Sequence, residues 1–309
     1  MKVGIVGGCG AAGSVLAASL ARAGADVQVI ARGRSGCERA RLVVEGLWSG
    51  PVDVCGWDGV RGATYDFLIV ATKAYDVGQA LDLVASSGLG AGLVLSTQNG
   101  LGSLEEVERR FGDRAAAMIL YYGSYRTGAC SSRYTGGSRV VLGCRTGCDV
   151  GRLRSLSSAL NSGGLEAEVV GREELEGHRW LKLAVNSAIN PVTALAWDTN
   201  GVIVRDGEAA EAAAILAQET SRVAGELGIA LPDDPVEATF RTARETSNNC
   251  SSTVQDLAAG RPTELRYINL AVWEASASLS ERAIANFLAF YSVEAASRWL
   301  RGRRSPCER

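Results

Sequence analysis

Over the first ~170 residues, short apolar runs alternate with stretches of helical periodicity. Residues 3–6 predict a buried strand, followed by a glycine turn and a helix to about residue 23. Residues 26–31 and 66–72 predict further strands, 76–86 a helix and 92–97 a strand. The next helix spans 103–111, with Glu105 and Glu106 in its first turn, where the positive end of the helix dipole favours acids. A strand at 115–122 and a hairpin over 133–143, turning at Gly136-Gly137, complete this half. Strands interleaved with helices imply a mainly parallel sheet covered on both faces.

After Val170 the pattern changes. Residues 173–196, 206–227, 235–246 and 278–301 are long, rich in alanine and glutamate, and carry helical periodicity with almost no strand signal. The polar stretch 171–177 marks the boundary. The expected layout is an α/β, doubly wound domain over 1–171 and an all-α domain over 172–309. A chain of 309 residues is long enough for two such domains.

Hydrophobic content of 47% with 21% charged residues belongs to a folded globular protein. A net charge of −2 gives no electrostatic footprint for nucleic acid or an anionic membrane. No apolar run of signal-peptide or membrane-span length is present, which places the protein in the cytoplasm. Eight cysteines are scattered without a paired rhythm, Cys144 and Cys148 being the only close pair, and His178 is the sole histidine. Free thiols are therefore expected, with disulfides reserved for a hyperthermophile source, and no metal site is expected. Of 32 basic residues only Lys2, Lys73 and Lys182 are lysines. Arginine cannot give up its proton, so a lysine retained in this background is a candidate for work that needs a tunable ammonium.

Gly8-Cys9-Gly10-Ala11-Ala12-Gly13 is a G-x-G-x-x-G motif between the first strand and its helix. Its glycines serve a tight turn, a backbone approach to a pyrophosphate and close helix–strand packing. The helix N-terminus faces the phosphate charge. The doubly wound domain is thus expected to be of Rossmann type and to bind a dinucleotide. NAD sites carry an acid at the end of the second strand; here that strand ends Ala31-Arg32-Gly33-Arg34. Arginine suits a 2′-phosphate through charge-assisted, forked hydrogen bonds, so NADPH is the expected cofactor. Lys73 and Asn99 lie in loops after strand ends, where ligands of open parallel sheets bind.

The segment from Arg179 to Pro191 is apolar almost all round, except for Lys182, Asn186 and Asn190. Spaced by four, these fall within an arc of about 80° on a helix. An ammonium on a largely buried helix is costly unless compensated, so the stripe should face a cleft. Reducing a ketone needs a hydride for carbon and a proton for oxygen. His178, one turn before Lys182, reads as a partly exposed helix residue, which leaves Lys182 as the proton donor. Asn186 and Asn190 can hold substrate oxygens. Residues 248–252 (Asn-Asn-Cys-Ser-Ser) could offer donors to a carboxylate, and Glu264 could hold the ammonium charged.

In order along nearly the whole chain, these residues resemble the ketopantoate reductase family. The resemblance rests on Gly8–Gly13, Arg32, Lys73, Gln98-Asn99-Gly100, the Lys-x3-Asn-x3-Asn-Pro element at 182–191, and Asn200. It continues through Ser251-Ser252 with Gln255-Asp256, and Glu264 followed by Tyr267-Ile268-Asn269. It implies NADPH reduction of 2-dehydropantoate to (R)-pantoate in pantothenate and coenzyme A synthesis, with closure of the helical domain completing the site. Arg32 would bind the 2′-phosphate; Lys73, Asn99 and Ser124 would lie near the cofactor. Lys182 would donate the proton, and Asn186, Asn190, Asn200 and Ser252 would hold the substrate. Glu264 would act at the closed site and touch the cofactor. The segment from Tyr121 to Tyr125 departs from the family pattern in being bulkier. Relatives on this framework that reduce other 2-oxo acids or act as opine-type dehydrogenases are the nearest alternatives, followed by a non-catalytic NADPH sensor. Long helices in the second domain suggest a homodimer.

Overall fold

The computed structural model describes residues 1–308 and divides into two compact units. The first comprises Met1–Gln98 and Ser103–Leu175; the second comprises Asn99–Gly102 and the chain from Glu176 onward.

The first unit is built on a nine-stranded sheet. Its strands are β1 (Lys2–Val6), β2 (Asp26–Ile30), β3 (Cys37–Glu45), β4 (Trp48–Cys55), β5 (Thr64–Val70), β6 (Gly90–Ser96), β7 (Ala115–Gly128), β8 (Ser131–Gly143) and β9 (Glu166–Val169). Their order is β3-β4-β2-β1-β5-β6-β7-β8-β9. Pairings β4–β2–β1–β5–β6–β7 and β8–β9 are parallel, while β3–β4 and β7–β8 are antiparallel. The chain order reverses at β1, which has β2 on one side and β5 on the other. That switch point opens a crevice at the carboxyl ends of the strands. Residues such as Val3, Ile5, Leu68, Ile69, Val94 and Leu95 are wholly buried, as strands covered on both faces require. The helices of this unit are α1 (Ala11–Arg22), α2 (Val77–Ser86), α3 (Ser103–Phe111) and α4 (Val150–Ser162). Glu105 and Glu106 do occupy the first turn of α3.

The doubly wound sheet thus matches the expectation, with differences in detail. The stretches 33–65 and 144–170, for which the pattern gave no element, form the β3–β4 hairpin and α4 with β9. Gly136 and Gly137 do not turn a hairpin; both have positive φ and form a bulge inside the single strand β8, opposite Tyr121 and Gly123. The β7–β8 turn falls instead at Ala129-Cys130, where Cys130 has a φ of 50°. Glycine pairs signal a bulge as well as a turn, which is why the pattern misled.

The cysteines overturn the expectation of free thiols. All eight pair, as Cys9–Cys130, Cys37–Cys55, Cys144–Cys148 and Cys250–Cys307. Spacing could not reveal this, because the partners stand 121, 18, 4 and 57 residues apart and are joined by strand register and loop return. Cys37 and Cys55, for example, are direct cross-strand partners in β3–β4.

The second unit is helical throughout its described residues. It holds α5 (Arg172–Ala196, entered from the first unit), α6 (Val202–Arg205), α7 (Gly207–Glu226), α8 (Pro235–Glu245), α9 (Ser252–Ala258), α10 (Ala271–Ala275) and α11 (Ile284–Leu300). A π-helical turn at Arg266–Leu270 precedes α10. The helix starts are chemically marked. Asp206, Asp234 and Ser251 accept backbone N–H groups of α7, α8 and α9, and Pro235 sits where its missing N–H costs nothing. The last helix begins at Ile284 rather than near 278, because a 3-10 turn at Ser276–Ser278 and a loop intervene. Leu181, Val185, Ala188, Ile189 and Val192 of α5 pack with α6, α7 and α8 residues in one buried cluster. Only α5's polar stripe is left for other work. Among the described residues no helix is long and apolar enough to cross a membrane.

Candidate active site

In the first unit the motif residues lie where β1 meets α1. The left-handed residue of the turn is Gly7, with φ +80°, one position before the motif's first glycine. A Cβ on Gly13 would stand 2.6 Å from the Gly7 carbonyl oxygen, and one on Gly10 would stand 3.0 Å from the same atom. These two positions therefore need glycine for close backbone approach. Gly10 caps α1 without any side-chain hydrogen bond, so the first-turn N–H groups at Ala11, Ala12 and Gly13 have no helical carbonyl to meet. They are a ready cradle for an anion.

Three ties hold this loop against the β7–β8 hairpin. They are the Cys9–Cys130 disulfide, the Tyr122 hydroxyl donating to the Ala12 carbonyl at 2.9 Å, and the Ser14–Ser132 hydroxyl pair at 2.6 Å. None was foreseen from the sequence, because every partner is more than 100 residues away. Tyr121 to Tyr125 lies within β7, and burial pushes the Tyr122 phenol well above its usual range. Ser124 stands on β7 opposite Tyr134.

Beside the motif, Val6, Gly7, Ile30, Arg32, Trp57, Thr72, Ala80 and Leu83 line a cleft. The buried Trp57 Nε1 and Thr72 Oγ1 have no hydrogen-bond partner among the described residues. Arg32 pairs with Asp76 at 2.8 Å. An apolar floor, an arginine at the rim, two unanswered polar atoms and the anion cradle alongside fit the adenosine end and pyrophosphate of a dinucleotide. Lys73 follows Thr72 in extended conformation just before α2. The neighbouring strand end is braced by Gln98, whose Nε2 donates to the carbonyls of Val70 (2.8 Å) and Thr72 (2.9 Å). Asn99 begins the short segment grouped with the second unit. There the Leu101 N–H donates to the Tyr267 carbonyl at 2.8 Å, and Gly100, with φ +86°, lies too close to that carbonyl for any Cβ.

In the second unit α5 carries Lys182, Asn186 and Asn190 as the spacing required. Burial pushes the Lys182 ammonium down to about 8, and the Glu264 carboxylate opposes that fall. Glu264 itself is 6% exposed. Asn190 donates to Ser252 Oγ at 3.5 Å, and Ser252 opens α9 behind the Ser251 cap. Asn200 is tied instead to Thr246 Oγ1 (2.8 Å) and the Asn249 carbonyl (2.8 Å), and its buried Oδ1 has no partner among the described residues. Lys182 with Glu264, and Asn190 with Ser252, are thus each brought together within one unit. His178 is buried rather than partly exposed, because its helix face turns into the packed interior.

The local shape of α5 has a chemical cause. Pro191 lies inside the helix and lacks the N–H that would meet the Ser187 carbonyl. Asn269, from the π-helical turn just after Glu264, supplies that donor at 2.8 Å. The proline therefore binds α5 to the segment that carries Glu264. No group of three or more potential metal ligands is assembled among the described residues.

Residues 4–147 match the family described as Ketopantoate reductase PanE/ApbA, and residues 174–291 match its C-terminal counterpart. The chain belongs to the ketopantoate reductase family. It is 34% identical over 288 residues to a 2-dehydropantoate 2-reductase of Pyrobaculum aerophilum, covering 93% of this chain and 95% of that one. A solved 2-dehydropantoate 2-reductase of Geobacter metallireducens superposes with a TM-score of 0.84 at 22% identity, over 96% of this chain and 100% of the other. A D-mandelate dehydrogenase solved with NADH and anilino(oxo)acetate shares the fold, with a TM-score of 0.83 at 20% identity over 97% and 99% of the two chains. Membership makes the protein an oxidoreductase acting on CH–OH groups.

Proposed function

We propose that the protein reduces 2-dehydropantoate to (R)-pantoate with NADPH, a step of pantothenate and coenzyme A synthesis, with Lys182 as proton donor. The observation that carries this reading is the lowered Lys182 ammonium beside Glu264 on a helix stripe shared with Asn186 and Asn190. A group of pKa near 8 is mostly protonated at neutral pH and still gives up its proton, which is what general acid catalysis asks for.

Bound NADPH supplies the hydride. The cradle Gly8–Gly13 holds the pyrophosphate by backbone N–H groups, with the Cys9 side chain drawn away into its disulfide. Arg32 holds the 2′-phosphate, and Lys73, Asn99, Ser124 and Glu264 complete the cofactor contacts. Lys182 Nζ gives its proton to the ketone oxygen, and the Glu264 carboxylate keeps that ammonium charged beforehand. Asn186, Asn190, Asn200 and Ser252 orient the substrate's carboxylate and hydroxyl oxygens without adding charge. The domain division at 171/172 and the cytoplasm remain the assignments we favour. Four disulfides suit that compartment where intracellular proteins are disulfide-rich, as in hyperthermophiles. A homodimer is the inferred assembly, supported by the exposed Ile284, Leu288, Tyr291 and Trp299 along one face of α11.

Side-by-side kcat/KM values for 2-dehydropantoate, other 2-oxo acids and 2-oxo acid–amine mixtures test the substrate. A clear preference for 2-dehydropantoate is expected; equal or better use of another substrate would reassign it.

A further inference from the structure

The second strand ends without the acid that NAD sites use for the ribose hydroxyls, yet an acid is present beside it. Asp76, at the start of α2, places its carboxylate 2.8 Å from the Arg32 guanidinium. Both side chains are partly open to solvent, 55% and 28% exposed, so neither is locked by packing. Arg32 lines the cleft whose floor is Ile30, Ala80 and Leu83. Arg32, the guanidinium among the described residues that line the cleft, is thus already engaged by a carboxylate.

We propose that Asp76 sets the selectivity of this site between cofactors with and without a 2′-phosphate; the proposal rests on the reading of Arg32 as the 2′-phosphate ligand. A phosphate monoester carries about −1.5 to −2 charges at neutral pH. To meet it, Arg32 must leave Asp76, and the freed carboxylate then stands within a few ångströms of a dianion. Both effects weaken a 2′-phosphorylated ligand. A plain ribose meets neither penalty: Arg32 stays on Asp76, and the carboxylate can accept a ribose hydroxyl as strand-end acids do. One ion pair therefore narrows the preference for NADPH over NADH that Arg32 alone would give. The acid that the second strand lacks arrives from a different element, the first residue before α2.

Calorimetric titration of the whole protein with 2′,5′-ADP and with ADP separates these effects without any turnover. The variants are Asp76→Asn, which keeps the shape of the side chain and removes its charge, and Arg32→Gln. Asp76→Asn should bind 2′,5′-ADP about 1.5- to fivefold more tightly, the scale of removing one partly exposed like charge. ADP affinity should stay level or weaken, so the ratio of the two widens. An unchanged ratio in Asp76→Asn, while Arg32→Gln collapses it, would overturn the role of Asp76 and leave the Arg32 reading standing. A ratio that Arg32→Gln leaves unchanged would overturn the Arg32 reading itself, and the proposal with it.

Discussion

An ammonium at its ordinary pKa holds its proton too tightly to serve near neutrality; one near 8 does not. Lys182 reaches that range by burial, with Glu264 pulling the other way. The sign of the pH dependence follows. Ketone reduction needs the protonated form, so kcat/KM should be level below about 8 and fall roughly tenfold per pH unit above it. Removing the Glu264 charge removes an influence that raises Lys182, so in Glu264→Gln the falling limb should move to lower pH. Rate–pH profiles of parent and variant check this; a limb that stays put or moves up would show that Glu264 does not hold the ammonium. At this scale the sequence was informative because chemistry is unevenly distributed. Three lysines among 32 basic residues made Lys182 conspicuous, and i, i+4 spacing placed Asn186 and Asn190 beside it. It was uninformative about Asp76, since a single acid near a helix start says nothing of the arginine it will meet 44 positions earlier.

Among the elements, α5 and the π-helical turn after Glu264 are joined through a missing donor. Pro191 leaves the Ser187 carbonyl without a helical partner, and Asn269 answers it at 2.8 Å while also donating to Asn286 Oδ1 at 2.9 Å. Asn269→Ala should cost about 1–3 kcal/mol, the usual penalty for an orphaned buried acceptor, read from urea unfolding. A loss below ~0.5 kcal/mol would mean that α5 is held to the π-helical turn by packing alone. The strands of the parallel core were legible as continuous apolar runs, being buried on both faces, and the long helices by the period of their buried face. The β3–β4 hairpin was not: β3 begins Cys-Glu-Arg-Ala-Arg, mostly exposed, and lacks the alternation that marks a half-buried strand. Gly136-Gly137 misled for the opposite reason, being a turn signal used as a bulge.

For the molecule as a whole, four disulfides close loops of very different size. Cys9–Cys130 spans 121 residues and ties the glycine-rich loop to the turn of the β7–β8 hairpin. In the chain-entropy picture a loop of that length is stabilised by about 4–5 kcal/mol. Full reduction should therefore lower Tm by several degrees or more, and Cys9→Ser/Cys130→Ser alone should reproduce about a third of that fall. A Tm unchanged after thiol titration confirms complete reduction would contradict it. These cross-links escaped the sequence because pairing is a property of the fold. The central claim concerns chemistry, and following NADPH absorbance on mixing the protein with 2-dehydropantoate, with Lys182→Ala alongside, tests it most directly. Oxidation of NADPH by the parent, slowed about 10²–10⁴-fold in the variant, is the predicted result. No oxidation by a parent that binds NADPH, or an equal rate in Lys182→Ala, would contradict it.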